Sequence, residues 1–255
     1  MKIYRYKHRQ TIQYGLLEED QLIPLQRSLL GNFREKKQKI LIGDVIILPP
    51  VLPTKIVAVG RNYKEHADER GQRVPERPLI FLKPPSAVIG TNDIIIYPDG
   101  VKRLDYEGEL AVVMGKKVWK LGENDSVDDC ILGYTCLNDV TARDLQDKDG
   151  QWARAKSFDT FAPVGPCIAT DLDPSRLKLK TFLNGKLRQS GNTANMIFPV
   201  PELIRYISHV MTLMPGDIIT TGTPSGVGAM SPGDRVDVQI DGIGSLSNTV
   251  MRIKK

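Results

Sequence analysis

Two glutamates stand two residues apart in Leu104-Asp-Tyr-Glu-Gly-Glu-Leu-Ala-Val-Val-Met-Gly115, a run that otherwise reads as a buried strand. Residues i and i+2 of a strand point to the same face, so Glu107 and Glu109 aim at one spot with Gly108 between them. Two like charges held side by side out of water are costly unless something neutralises them. A hard divalent cation is the simplest partner. The spacing alone also permits a solvated edge strand with both glutamates in water.

The chain has 255 residues, enough for one large domain or one domain with a small appendage. No apolar run reaches membrane-spanning length, and Met1-Lys-Ile-Tyr-Arg-Tyr-Lys-His8 lacks the core of a signal peptide. A cytoplasmic protein with no membrane partner is the expectation. The net charge is +5, but the basic residues are scattered and the longest cluster is Arg34-Glu-Lys-Lys-Gln-Lys39. Without a basic stripe and interleaved aromatics, nucleic acid is not an expected partner; a small anionic substrate suits the charge. Cys130, Cys136 and Cys167 show no Cys-x-x-Cys spacing, and an odd count predicts free, buried thiols.

Residues 1–50 break into short alternating segments, Lys2–Tyr6, Ile12–Leu17, Leu22–Leu25 and Val45–Leu48, expected to form a small N-terminal β-rich domain. Three prolines within Leu48-Pro-Pro-Val-Leu-Pro-Thr54 read as a linker. The larger unit, 51–255, opens with a strand at Lys55–Gly60. A short helix follows over Asn62–Arg70 and stops at Gly71. Further strands are expected at Leu79–Leu82, Ile94–Tyr97, Glu109–Met114, Cys130–Asn138, Ile218–Thr221, Arg235–Ile240 and Leu246–Ile253. A short helix is expected over Val140–Asp147. Helical spacing of Leu203, Ile207, Val210, Met211 and Met214 predicts a helix over Pro199–Met214. Strands outnumber helices and do not alternate with them, which argues against a Rossmann fold or TIM barrel and for an α+β, mainly β architecture.

Four other segments carry polar chemistry. Asp139 sits where an apolar strand ends, and with the two glutamates it makes an all-oxygen set of the kind Mg²⁺ or Mn²⁺ prefers, with Ca²⁺ a further option. His66 and Glu69 share a helix face at i and i+3; a carboxylate beside an imidazole orients it and raises its basicity, as a general base requires. A solvated charged helix is the alternative. Lys156, among apolar neighbours, is placed to stabilise an oxyanion or to salt-bridge an acid. Thr220-Thr-Gly-Thr-Pro-Ser-Gly-Val-Gly228 lacks the ending of a P-loop; its donors suit a carboxylate, unless it is a plain turn.

Together these segments resemble the fumarylacetoacetate hydrolase family. The matching stretches are Val59-Gly-Arg-Asn-Tyr-Lys-Glu-His66, Tyr106–Gly115, Gly133–Asp144, Ala155-Lys-Ser-Phe-Asp159 and Thr221–Gly228. The resemblance implies a mixed β-roll or barrel-like catalytic domain in a homodimer. It implies Mg²⁺ or Mn²⁺ on Glu107, Glu109 and Asp139, a base from His66 and Glu69 on a mobile lid, and Lys156 as the active-site lysine. Arg61, Tyr63, Gln146 and Thr223 fall in family substrate-contact segments. Family substrates are small 2-oxo (di)acids. Hydrolysis of a C–C bond in an acylpyruvate is the first expectation, and oxaloacetate tautomerisation or decarboxylation and hydroxydienedioate isomerisation are the alternatives. A dicarboxylate-binding regulator of weak activity is the alternative from another class.

Overall fold

The computed structural model describes residues 1–26, 34–35, 38–69, 71 and 73–253. Lys36 and Lys37 of the basic cluster, and Arg70 at the expected end of the first helix, lie outside these.

The strand Gly108–Met114 is buried along its whole length. Leu110, Val112 and Met114 enter one hydrophobic cluster, and Ala111 and Val113 enter another on the opposite face. Because both faces are covered, the strand reads as a continuous apolar run rather than an alternation. It pairs antiparallel with Ile131–Asn138 on one side and with Ile218–Thr220 on the other. From there the sheet runs through Ile56–Gly60 to an edge at Leu79–Lys83. In the other direction it passes from Ile131–Asn138 to Ala162–Ala169, and then to Lys2–His8, Thr11–Glu18 and Gln21–Gln26. The N-terminal strands therefore continue the sheet that carries the two glutamates, through the pairs Lys2 with Ala169 and Ile3 with Ile168.

A second sheet orders Ile94–Ile96, Gly244–Met251, Arg235–Ile240, Lys178–Leu183 and Lys186–Asn192. A third, small sheet joins Thr141–Ala142, Leu104–Tyr106 and Gly228–Met230. The four α-helices among the described residues are short: α1 (Lys64–Glu69), α2 (Arg143–Asp149), α3 (Ala153–Lys156) and α4 (Val200–Val210). The architecture is α+β and mainly β. None of these helices is long and apolar enough to cross a membrane. All three cysteines are free and buried.

Two expectations are corrected. Helix α4 ends at Val210 rather than Met214, because Leu213 exchanges backbone hydrogen bonds of 2.9 Å with Val118 in both directions. That bridge requires extended backbone, and Met211 is already extended at φ −151°. Between Asp139 and α2 the chain makes a short strand at Thr141–Ala142, so the helix starts three residues later than expected. Two longer elements were not expected at all. Ala162–Ala169 is a fully buried strand despite Pro163 and Pro166, which normally exclude a central strand. Lys178–Leu183 and Lys186–Asn192 form a hairpin across Asn184-Gly185, both at positive φ.

Gly108 lets the strand turn its back on the second sheet. A Cβ there would collide with the Thr181 hydroxyl and meet the Gln189 side-chain amide oxygen at 3.2 Å, and both of those residues are fully buried. Gly108→Ala is expected to destabilise the fold by about 1–3 kcal/mol, the usual cost of overpacking. The urea midpoint measures this; an unchanged midpoint would mean that the contact relaxes freely.

Candidate active site

Strand register assembles the acids. Gly108 pairs with Asn138, the last residue of its neighbour strand. One residue on, the Asp139 amide donates to the Glu107 carbonyl at 2.8 Å, and the Glu107 amide donates to Asn138 Oδ1 at 3.0 Å. The strand end that bears Asp139 is thereby held beside the start of the strand that bears the glutamates. One oxygen from each of Glu107, Glu109 and Asp139 lies within 4.8 Å of the others. Their exposures are 5%, 1% and 1%, which overturns the solvated-edge arrangement.

Three buried cations answer two of these acids. Lys156, at the end of α3, donates to Glu107 Oε2 at 2.7 Å and to Asp139 Oδ2 at 2.6 Å. Lys83, at the end of the edge strand, donates to Asp139 Oδ1 at 2.6 Å and to the Val140 carbonyl at 3.3 Å. Arg143, the first residue of α2, reaches Glu107 Oε1 through Nη2 and Gln146 through Nη1. Its Nε donates at 2.8 Å to buried Asp105, which also accepts from Arg103 at 2.8 Å. Burial alone would push the Glu107 carboxyl up, but Lys156 and Arg143 hold it well below the usual range. Burial would lower Lys156, yet Asp139 and Glu107 keep it charged. Burial pulls Lys83 down, with Asp139 opposing.

Glu109 differs. It accepts a 2.8 Å bond from the Gly222 amide and makes no ion pair among the described residues. Burial, then the charges of Asp139 and Glu107, push its carboxyl well above the ordinary range. A hard divalent cation at this point would remove that penalty, and an all-oxygen donor set is what such an ion selects. The residues present fit Mg²⁺ or Mn²⁺.

A cleft of about 300 Å³ opens over the acids, a size suited to a small ligand. Its walls include Arg61, His66, Phe81, Gln146, Trp152 and Thr223. His66, on α1, is 8% exposed, and its Nδ1 lies 3.4 Å from Glu69 Oε2. Burial lowers its pKa, opposed by the charge of Glu107, which favours the uncharged ring. Glu69 also accepts from the Gly226 amide at 3.1 and 3.2 Å, which ties α1 to the glycine-rich loop. In that loop the donors have internal tasks. The Gly222 amide serves Glu109, and the Thr223 hydroxyl donates to the Gly108 carbonyl at 2.8 Å while accepting from Gln189 at 2.7 Å.

The sequence-derived site residues thus line one cleft, except Glu69, which stands behind His66, and Tyr63. Tyr63 is wholly buried and does not line the cleft, and its hydroxyl has no hydrogen-bond partner among the described residues. Lys83, Arg143, Asp105, Phe81 and Trp152 were not anticipated. Arg143 lies inside the segment that supplied Asp139. Lys83 carries a faint signal, a lysine closing the apolar strand Leu79-Ile-Phe-Leu82. Lys83→Met leaves one side of Asp139 unpaired in the interior. It is expected to cost about 3–5 kcal/mol, the scale for breaking a buried pair. Denaturant unfolding without added metal measures it; a loss under about 1 kcal/mol would show that water replaces the ammonium.

A family profile described as "Fumarylacetoacetate (FAA) hydrolase C-terminal" matches residues 55–251, and one described as "Rv2993c-like, N-terminal" matches residues 1–50. The chain belongs to the fumarylacetoacetate hydrolase family and is an enzyme of that family. It is 46% identical to oxaloacetate tautomerase YisK of Bacillus subtilis over 87% of this chain and 76% of that protein. Among solved structures it resembles 2-hydroxyhepta-2,4-diene-1,7-dioate isomerase from Mycobacterium marinum, at TM-score 0.92 and 40% identity with full coverage of both chains. It also resembles maleylpyruvate hydrolase from Sphingobium sp. SYK-6, solved in complex with manganese (II) ion and pyruvate, at TM-score 0.82 and 30% identity with full coverage of both chains.

Proposed function

We propose that this enzyme is a metal-assisted keto–enol tautomerase of a small 2-oxo acid, with oxaloacetate the first substrate to test. The observation that carries the reading is the convergence of three buried carboxylates beneath a cleft whose wall holds the His66 imidazole. Glu107, Glu109 and Asp139 are assigned as ligands of Mg²⁺ or Mn²⁺. When bound, such an ion supplies Lewis-acid polarisation of the 2-oxo group.

The protein's own groups do the rest. Nδ1 of His66 faces Glu69, which leaves Nε2 for the substrate. From keto to enol, His66 Nε2 takes a proton from the carbon next to the 2-oxo group as the electron pair moves onto the carbonyl oxygen, and the imidazolium then gives that same proton to the oxygen. The reverse transfer completes the equilibrium. Glu69 fixes the ring and stabilises the imidazolium that forms, as a carboxylate behind a catalytic histidine does. Lys156 bridges Glu107 and Asp139 and keeps their outer oxygens in place. The tie from Glu69 to Gly226 holds α1 over the cleft and limits the access of water.

The name of the Bacillus subtilis relative favours tautomerisation over the acylpyruvate hydrolysis first expected from the sequence. Hydrolysis remains the second reading, because the His66–Glu69 pair is equally suited to activating water, and one structural neighbour is named a hydrolase. Decarboxylation of oxaloacetate is the third. The enol absorbance of oxaloacetate, pyruvate release and cleavage of acetylpyruvate, each followed with Mn²⁺ and with EDTA, separate the three. The expected result is rapid loss of the enol signal with Mn²⁺, abolished by EDTA, with little pyruvate. Turnover unaffected by EDTA would contradict the metal-assisted reaction.

The residue roles separate by variant. Glu109→Gln is expected to abolish Mn²⁺ binding in calorimetry. His66→Ala should keep Mn²⁺ binding and lose about 10²–10⁴-fold in kcat, the usual range for a general base. Full activity in His66→Ala would remove it from the mechanism.

A further inference from the structure

We propose that Gln189 is a positioning residue for the metal centre: through a closed ring of hydrogen bonds it fixes the backbone between Glu107 and Glu109 and biases the site towards a small divalent cation. The inference rests on the reading of Glu107, Glu109 and Asp139 as metal ligands, and it gives the choice of ion to a residue that does not line the cleft.

Gln189 lies on the hairpin strand Lys186–Asn192 and is fully buried. It pairs across the hairpin with Thr181, so both side chains rise from one face of the second sheet, the face that meets Gly108. The regular pairing shifts directly after Thr181, the kind of irregularity that re-aims side chains. Two residues further on, the same strand lies against the glycine-rich loop. A Cβ on Gly191 would stand 2.6 and 2.8 Å from two side-chain carbons of Pro224. The hairpin thus brings Gln189 between the strand that bears the glutamates and the loop that bears Thr223.

Both polar atoms of the Gln189 amide are used. Its Oε1 accepts from the Gly108 amide at 2.9 Å, and its Nε2 donates to the Thr223 hydroxyl at 2.7 Å and to the Pro224 carbonyl at 2.8 Å. The Thr223 hydroxyl donates to the Gly108 carbonyl at 2.8 Å, which closes a ring of three residues from three segments. The Gly108 amide belongs to the peptide that follows Glu107, and the Gly108 carbonyl to the peptide that precedes Glu109. The ring therefore holds both peptide planes from which the two carboxylates depart. The Glu107 carbonyl, in the first of these planes, also accepts from the Asp139 amide, which ties the third acid to the same frame. Gln189 and Thr223 carry no charge, so the ring sets geometry and leaves the charge balance of the site alone. Geometry discriminates between ions. Mg²⁺ requires near-ideal octahedral coordination with oxygens at about 2.0–2.1 Å, whereas Ca²⁺ accepts about 2.3–2.6 Å and a variable number of oxygens. Loosening the frame costs the smaller ion more.

The Mn²⁺ affinity of the metal-free protein is measured by calorimetry, and the Mg²⁺ and Ca²⁺ affinities by competition against Mn²⁺. Gln189→Met, close in length but without the amide, is expected to weaken Mn²⁺ binding about 10–100-fold, the usual effect of an outer partner of a metal site. It should also lower the ratio of Mg²⁺ to Ca²⁺ affinity about tenfold. Thr223→Val opens the ring from its other side and should shift the ratio the same way, while Thr223→Ser, which keeps the hydroxyl, should hold it near the wild-type value. Thr181→Val is the control. Thr181 packs against Gly108 but its hydroxyl has no hydrogen-bond partner among the described residues, so the ratio should not move. A general loosening of the fold would lower all the affinities together and leave the ratio alone. An unshifted ratio in Gln189→Met or in Thr223→Val, or an equal shift in Thr181→Val, would overturn the ring's role; should Gln189→Met fail to fold, Thr223→Val decides alone. Wild-type protein that binds none of the three ions would refute the metal centre and this inference together. A shifted ratio in protein without turnover would support the ring and refute the tautomerase reading, and tautomerisation by an enzyme whose ratio does not shift would do the reverse.

Discussion

The site depends on one constraint: three nearly buried carboxylates converge at the floor of one cleft. Hydrogen bonds between the backbones of two adjacent strands impose it. The pair Gly108 with Asn138, and the bond from the Asp139 amide to the Glu107 carbonyl, leave Asp139 no other place to be. Both faces of the strand Gly108–Met114 are covered, so its acids cannot turn to solvent without undoing two hydrophobic clusters. The surrounding structure compensates the like charges. Lys83, Lys156 and Arg143 arrive from the sheet edge, α3 and α2, and each is buried against Glu107 or Asp139. Glu109 accepts from the Gly222 amide and has no ion pair among the described residues, and it is where the arrangement calls for a further positive charge.

The same network divides the cleft. Its floor is a dense charge lattice whose cations are paired, and it is suited to fixing a metal and the 2-oxo end of a ligand. Its walls carry two groups with capacity left over. His66 is an imidazole oriented by Glu69 on a short helix, and Arg61 is a guanidinium held against an aromatic ring, with no ion pair among the described residues.

Much of the site was legible in the sequence because its determinants are local. The i, i+2 spacing of Glu107 and Glu109 and the i, i+3 spacing of His66 and Glu69 follow from strand and helix geometry. What was not legible is long-range. Nothing in the spacing places Lys83 against Asp139, 56 residues away, or Trp152 against Arg61. The buried strand Ala162–Ala169 is disguised by its two prolines, whereas the hairpin at Asn184-Gly185 carries a turn signal that local rules recognise. Helix α4 stops early for a tertiary reason, the bridge between Leu213 and Val118, which outweighs the helical periodicity of its C-terminal residues.

The central claim is that Glu107, Glu109 and Asp139 bind one divalent cation. Crystals grown with Mn²⁺ and measured near its absorption edge test it directly. One anomalous peak bonded to an oxygen of each of the three residues is expected, and its loss in Glu109→Gln crystals prepared identically. A wild-type map with no anomalous peak among these carboxylates would contradict it.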